Sequence, residues 1–112
     1  MCGRLVLTSS YKEKIKAIFD DIEAKEWQPP RYNVTPGTPI PALSQHEPKQ
    51  LNWLPWGYEQ SSANGKSRLL INARGETVHR LPTFKESFQA NRCLIFADGF
   101  YEWHRAGKGS PQ

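Results

Sequence analysis

The sequence is poor in cysteine, with only Cys2 and Cys93 among its 112 residues. A disulfide-stabilised secreted domain needs more cysteines, and no secretory signal precedes these two, so a reduced, cytosolic protein is expected. The cysteines and the three histidines show neither C-x-x-C nor H-x-x-x-H spacing, which argues against a metal site. The sequence also lacks any apolar run long enough to span a membrane. No cofactor is indicated.

What is present suits one small folded domain. Hydrophobic residues make up 38% of the chain and include 4 Trp, 5 Phe and 4 Tyr, which can supply a core. There are 15 Lys and Arg residues against 11 Asp and Glu, a net charge of +4. This positive excess fits an anionic partner such as nucleic acid, and it fits an ordinary basic protein equally well.

The distribution of apolar residues predicts an α+β fold with a largely antiparallel sheet. Within "SSYKEKIKAIFDDIEAKEW", Ile15, Ile18 and Ile22 recur at helical spacing, which predicts a helix. Ser10 and Glu13 fit a capping box at its start. A second, short helix is predicted in "LPTFKESFQA".

Short apolar runs predict the strands. They are "LVL" near the N-terminus, an edge strand in the proline-rich "PIPALS", and the segments "LNWLPWGY", "RLLINARGET" and "RCLIFADGFYEWHR". The Asp98-Gly99 pair inside the last segment predicts a hairpin turn or a bulge. Between two of these strands, "EQSSANGKS" is expected to be a polar, flexible loop with a turn at Asn64-Gly65.

Cys2 is the first candidate for chemistry because it follows Met1 directly. Removal of Met1 would leave an N-terminal cysteine, which is a 1,2-aminothiol. Since α-amino groups titrate at about 7.7–8.0, such an amine is substantially neutral near physiological pH. Its thiol can attack a carbonyl, or its amine can form a Schiff base with an aldehyde while the thiol closes a thiazolidine ring. Taken alone, however, Cys2 is more simply read as a packed residue.

Five further polar residues are candidates, and each also has an ordinary structural interpretation. Arg4 could bind phosphate or form a surface salt bridge. Glu102, among aromatic residues, could act as a general acid or base or could lie on a solvated strand face. Arg74, Asn33 and Asn72 could contact a ligand or serve the local structure. Aromatic residues that include Trp56, interleaved with Arg and Asn, could stack on single-stranded bases or form the core.

Five motifs in order give the sequence a specific resemblance. "MCGR", "RYNVTPG", "PWGY", "INARGET" and "ADGFYEW" together resemble the SOS response-associated peptidase (SRAP) family. The resemblance covers residues 1 to about 104, which match the N-terminal half of that family's domain. It implies an α+β, barrel-like fold with a mostly antiparallel sheet and peripheral helices, here truncated, in which 1–112 form the N-terminal part of a single domain.

The resemblance also implies a function. SRAP proteins sense abasic sites in single-stranded DNA, remove Met1 by an autopeptidase activity, and use the exposed cysteine to form a thiazolidine DNA–protein crosslink that shields the lesion. By motif, Cys2, Asn72 and Glu102 would be catalytic. The DNA contacts would come from Arg4, Asn33, Trp56 and Arg74. A DNA partner would place the protein at the nucleoid of a bacterium or in a eukaryotic nucleus.

Two departures and two alternatives accompany this expectation. The family's "HxRMP"-like histidine motif and its further Trp after "WG" have no counterpart here. The strand containing "CLIF" would expose an edge and an apolar face, so a missing segment or a second chain is expected to complete the fold. One alternative is a non-catalytic module that binds single-stranded DNA. The other is an N-terminal-cysteine glutamine amidotransferase, although that family usually has an apolar residue after "MCG".

Overall fold

The computed structural model describes residues 2–104. Two short helices and nine strands follow one another along this part of the chain. They are β1 (Arg4–Leu7), α1 (Tyr11–Ile18), β2 (Glu23–Ala24), β3 (Arg31–Val34), β4 (Pro39–Ser44), β5 (Gln50–Pro55), β6 (Tyr58–Ser61), β7 (Ser67–Leu70), α2 (Lys85–Ala90), β8 (Cys93–Ile95) and β9 (Gly99–Tyr101).

The strands form three sheets, with strand orders β3-β1-β9, β2-β5-β4-β8 and β6-β7. Every pairing is antiparallel except the parallel contact between β2 and β5. The predicted α+β class with a mostly antiparallel sheet is therefore confirmed. Within residues 2–104, no helix is long and apolar enough to cross a membrane.

The predicted first helix is present but shorter than its apolar pattern suggested. It ends at Ile18, which is 70% exposed. The chain then turns, so that Ile22 reaches the core from outside the helix and Glu23 pairs with Gln50. The capping-box prediction was wrong, because the Ser10 side chain makes no capping hydrogen bond and lies against Thr8 instead. Pairing with β5 overrode the local helical preference.

The strand predicted at the edge of a sheet lies in the interior of one. β4 sits between β5 and β8. Its Pro41 opposes Trp53 on one side, and its carbonyl accepts the Phe96 N–H on the other, where the β8 ladder has already ended. Each residue of a strand directs its N–H and its C=O to the same neighbour. The N–H that Pro41 lacks would therefore point towards β8 beyond the last residue pair, so no ladder hydrogen bond is lost.

Three further local predictions needed correction. Asp98-Gly99 does not turn a hairpin, because β8 pairs with β4 while β9 pairs with β1 in a different sheet. The Asn64-Gly65 turn is present, with Gly65 at φ +80°, but the segment expected to be flexible contributes paired strands to the β6–β7 hairpin. Finally, β7 ends at Leu70, so "INAR" is not part of a strand.

The core lies between α1 and the strands β1, β3, β4 and β5. Its buried cluster consists of Leu7, Tyr11, Ile15, Ile22, Val34, Ile40, Leu43 and Leu51. Half-buried side chains that pack against it include Trp27, Trp53 and Phe96. Since β1 contributes Leu7 to this cluster and pairs on both edges, the N-terminal strand is tied firmly into the fold.

Candidate functional site

Cys2 lies directly before the central strand of a three-stranded sheet. β1 has β3 on one side and β9 on the other. Leu5 opposes Val34 of β3 and Phe100 of β9. The half-buried Cys2 directs its thiol to the Arg4 carbonyl at 3.3 Å. Segments from both neighbouring strands are therefore brought beside the N-terminus. The Met1 that the resemblance expects to be removed lies outside the described residues.

Asn72 contacts Cys2 across a wide sequence separation. Its Nδ2 donates a hydrogen bond of 2.9 Å to the Cys2 carbonyl oxygen. Asn72 sits just beyond the end of β7 and is half-buried, so its amide is held in place while part of it remains accessible. Two residues expected to be catalytic are thus direct neighbours.

A cavity of about 550 Å³ opens at one end of the β3-β1-β9 sheet, where Gly3, the residue after Cys2, is part of its wall. It is lined by Gly3, Arg4, Asn33, Tyr101, Glu102 and Trp103. The strand register accounts for this set, because Arg4 opposes Tyr101 and both neighbours of β1 end at the same side. The cavity has the size of a small-molecule or nucleotide pocket.

The polar groups of the cavity differ in charge and are open to solvent. Arg4, Asn33 and Glu102 are all exposed. The Arg4 guanidinium donates to the neighbouring Gly3 carbonyl at 2.8 Å, and the planar fork of a guanidinium has further N–H donors that suit an anion. The arrangement offers one cation, one carboxylate and one amide around a single space.

Tyr101 forms a bridge across this sheet. Its hydroxyl donates to the Tyr32 carbonyl at 3.0 Å, although β1 lies between the two strands. The ring therefore spans β1 beneath the cavity and ties β9 to the residue before Asn33. The site is supported by a cross-sheet contact as well as by backbone ladders.

Two residues predicted to contact DNA lie outside the cavity lining. Trp56 is half-buried against the core, and its indole N–H donates to the Ile71 carbonyl at 3.1 Å. Through this bond it supports the segment that carries Asn72. Arg74 is exposed and lines a separate cavity with its neighbours at 73–77. The structure thus brings together Cys2 with Asn72, and Arg4 with Asn33 and Glu102.

Tyr101 and Trp103 line the cavity; both belong to the aromatic residues, interleaved with Arg and Asn, for which the sequence left base stacking and core packing open. Trp103 is 71% exposed and flanks Glu102 directly. The sequence feature that points to binding is the pair of aromatic residues on either side of Glu102, since exposed rings commonly bind ligands or bases. Within residues 2–104, no group of three or more His, Cys, Asp or Glu side chains is arranged to hold a metal ion.

Comparisons with known proteins agree on one family. A family model described as SOS response associated peptidase (SRAP) matches residues 1–112. The abasic site processing protein YedK of Escherichia coli is 36% identical in an alignment 112 positions long, which covers 96% of this chain and 50% of that protein. The abasic site processing protein HMCES of Xenopus tropicalis is 26% identical, in an alignment that covers 94% of this chain and 39% of that protein.

A solved structure shares the fold. The crystal structure of a phage-related protein from Bordetella bronchiseptica matches with a TM-score of 0.74 and 31% identity, covering 97% of this chain and 50% of that one. The chain therefore spans about half the length of the curated and structural relatives it matches.

Proposed function

This chain belongs to the SOS response-associated peptidase family, and from that membership we propose that it senses abasic sites in single-stranded DNA and captures them covalently through Cys2. The observation that carries the proposal is the 2.9 Å contact between Asn72 and the Cys2 carbonyl, beside a cavity lined by Arg4, Asn33 and Glu102. The names of the relatives, abasic site processing proteins, support the same substrate.

The first step is removal of Met1 by hydrolysis of the peptide bond to Cys2, an autopeptidase step. The Asn72 amide holds Cys2 in place through the hydrogen bond to the Cys2 carbonyl oxygen. Glu102 supplies a carboxylate in the adjoining cavity that can take a proton from water and return it to the leaving amine. The product is a free α-amine on Cys2.

The second step joins this amine to the aldehyde of the ring-opened abasic sugar. The amine adds to the carbonyl carbon and one water leaves, giving a Schiff base. The Cys2 thiol then adds across the C=N bond, so that a C–S bond forms and the thiol proton passes to nitrogen. The product is a five-membered thiazolidine, and the net reaction releases one water. Closing the ring removes the aldehyde from which strand cleavage would proceed, so the lesion is shielded.

DNA would be held around this chemistry by charge and by aromatic rings. Arg4 lies at the cavity and suits a backbone phosphate. Tyr101 and Trp103 offer rings on which bases flanking the lesion can stack. Arg74 and Trp56 act from outside the cavity, Arg74 on a phosphate and Trp56 through the Asn72 segment.

The test uses an oligonucleotide with one abasic site, incubated with the protein and separated on a denaturing gel. A covalent shift is expected for the wild type and is lost in Cys2→Ala, while Cys93→Ala is the matched control that keeps it. Mass spectrometry should find Met1 absent in the reactive protein. DNA binding without any shift, from protein lacking Met1, would reduce the function to a non-catalytic binding module. Release of ammonia from glutamine would favour the amidotransferase alternative.

We also propose that 1–112 form one part of a larger SRAP domain, whose remaining polypeptide covers an apolar face left open here. A cleft of about 280 Å³ between α1 and β8 reaches the core residues Leu7 and Ile15, and Ile18 and Ile95 stand exposed at its rim. Such an exposed apolar face is usually covered by another segment or by a partner chain.

The open face has a direct consequence in solution. The 112-residue protein is expected to bind an apolar dye such as anilinonaphthalene sulfonate and to self-associate on gel filtration. Ile18→Lys with Ile95→Lys should reduce both effects without touching the cavity that contains Glu102. A monomer that binds no dye and unfolds in one sharp, cooperative transition would contradict the proposal.

A further inference from the structure

Asp98 occupies an unusual position just before β9. Its side chain is 7% exposed and makes two short contacts. One carboxylate oxygen accepts the Thr8 backbone N–H at 2.7 Å, and the other accepts the Lys14 ammonium at 2.6 Å. Its own backbone N–H donates to the Val6 carbonyl at 2.9 Å. A single residue thus connects the start of β9 to β1, to the turn after β1 and to α1.

These contacts favour the ionised carboxylate. Burial acts to raise the pKa of Asp98, but the hydrogen bonds from Lys14 and Thr8 outweigh burial and hold the pKa below its ordinary value. The charged form is therefore the one that the surrounding groups stabilise. Asp98 is an anchor with fixed partners.

The anchor adds to the β1 ladder and the Tyr101–Tyr32 hydrogen bond, and it matters because β9 is short and little buried. The strand has three residues and lies at the edge of its sheet. Its Phe100 is 65% exposed, so burial contributes little to its placement. Short edge strands with little burial are weakly specified in register.

Register decides which side chains face the cavity. Val6, Leu5 and Arg4 oppose Gly99, Phe100 and Tyr101 in turn, and the next residue along is Glu102. A slip of one residue would send the Glu102 side chain to the opposite face of the sheet. Only one register allows Asp98 to meet the Thr8 N–H and the Val6 carbonyl together.

We propose that Asp98 is a positioning residue for the candidate site, which fixes the register of β9 against β1 and thereby places Glu102 beside the Cys2 end of β1. The structural part of this inference stands on the contacts above. The effect on crosslinking rests on the proposed function.

The experiment compares Asp98→Ala, which removes both acceptors, with Asp98→Asn, which keeps an acceptor for the Thr8 N–H. Asp21→Asn is the matched control. Asp21 lies away from the candidate site and forms an exposed ion pair with Lys49, with an N–O distance of 3.3 Å. Amide hydrogen exchange is measured in the β1–β9 ladder and, for reference, in the β4–β5 ladder. Adduct formation is measured at saturating DNA containing an abasic site.

Asp98→Ala should increase exchange about tenfold in the β1–β9 ladder alone and slow adduct formation about tenfold, and Asp98→Asn should recover part of both. Equal loss of protection in the two ladders would overturn the inference, because it would indicate general destabilisation. An unchanged adduct rate would also overturn it. If Asp98→Ala does not fold, the same measurements are made on two single variants, Lys14→Met and Asp98→Asn. A wild type that forms no adduct would contradict the proposed function, while exchange would still decide the role of Asp98 in register.

Discussion

Residues 2–51 and residues 52–104 contribute very differently to the interior of this protein. All nine buried hydrophobic residues found in the described part of the chain lie in the first region. Ten of its twelve exposed large hydrophobic residues lie in the second, among them Leu94, Phe100 and Trp103. Stability is therefore concentrated in the first region, whereas the second supplies most of the exposed apolar surface.

The candidate site lies where the two regions meet. β1 and β3 provide Arg4 and Asn33 from a well-packed sheet, and the later chain adds Asn72 and Glu102 to it. A rigid strand can hold a reactive N-terminus in place while more exposed segments deliver their side chains to it. This division suggests experiments that separate stability from chemistry.

The largest effect on stability should come from the first region. Leu51→Ala removes a side chain that is 2% exposed and leaves a cavity, so unfolding free energy should fall by about 2–5 kcal/mol. Leu54→Ala on the same strand removes an exposed leucine and serves as the control. Urea denaturation followed by tryptophan fluorescence measures both. Equal losses for the two variants would contradict the contrast between regions.

A change in the second region should instead affect chemistry. Asn72→Ala removes the hydrogen bond to the Cys2 carbonyl and should slow crosslinking about tenfold, which corresponds to about 1.4 kcal/mol. DNA binding should be retained. Asn52→Ala is the matched control, because Asn52 lies on β5, in a different sheet from β1, and its side chain donates to Glu47 in the turn before β5. The rate is read from gel time courses, and an unchanged rate would remove Asn72 from the mechanism.

The basic residues should act on binding alone. Arg4→Ala and Arg74→Ala should each weaken binding to single-stranded DNA and lower the slope of log affinity against log salt by about 0.7, because one phosphate contact is lost. Fluorescence anisotropy across a salt series measures the slope. Lys49→Ala, which loses only an exposed ion pair with Asp21, should leave it unchanged. An unaltered slope in Arg4→Ala would show that Arg4 meets no phosphate.

The smallest expected effect is the dependence of stability on acidic pH. Because the pKa of Asp98 is lowered from its ordinary 3.8, its contribution to stability is fully present above that value and is lost as pH falls through the lower pKa of the folded state. The stability difference between wild type and Asp98→Asn should therefore be constant above about pH 5 and shrink below it. Urea midpoints at several pH values measure it, and a difference independent of pH would contradict the assignment.

Local sequence patterns predicted some elements well and others poorly. The short helix containing Phe88 and the turn at Gly65 depend on neighbouring residues, and both are present. The predicted length of α1 and the predicted edge position of β4 were wrong, because strand pairing with β5 and β8 decided both. Asp98-Gly99 carried a turn signal, yet the carboxylate is used for a contact with Thr8, 90 residues away in sequence.

The sequence by itself determined the fold class, the family and the chemical types available to the site, since these follow from apolar periodicity and from ordered motifs around Cys2, Asn72 and Glu102. Only the tertiary structure decided which of these residues meet. The Asn72–Cys2 contact spans 70 residues, and the cavity depends on the register of β9 against β1. Such proximities arise from long-range strand pairing and burial, which no local spacing encodes.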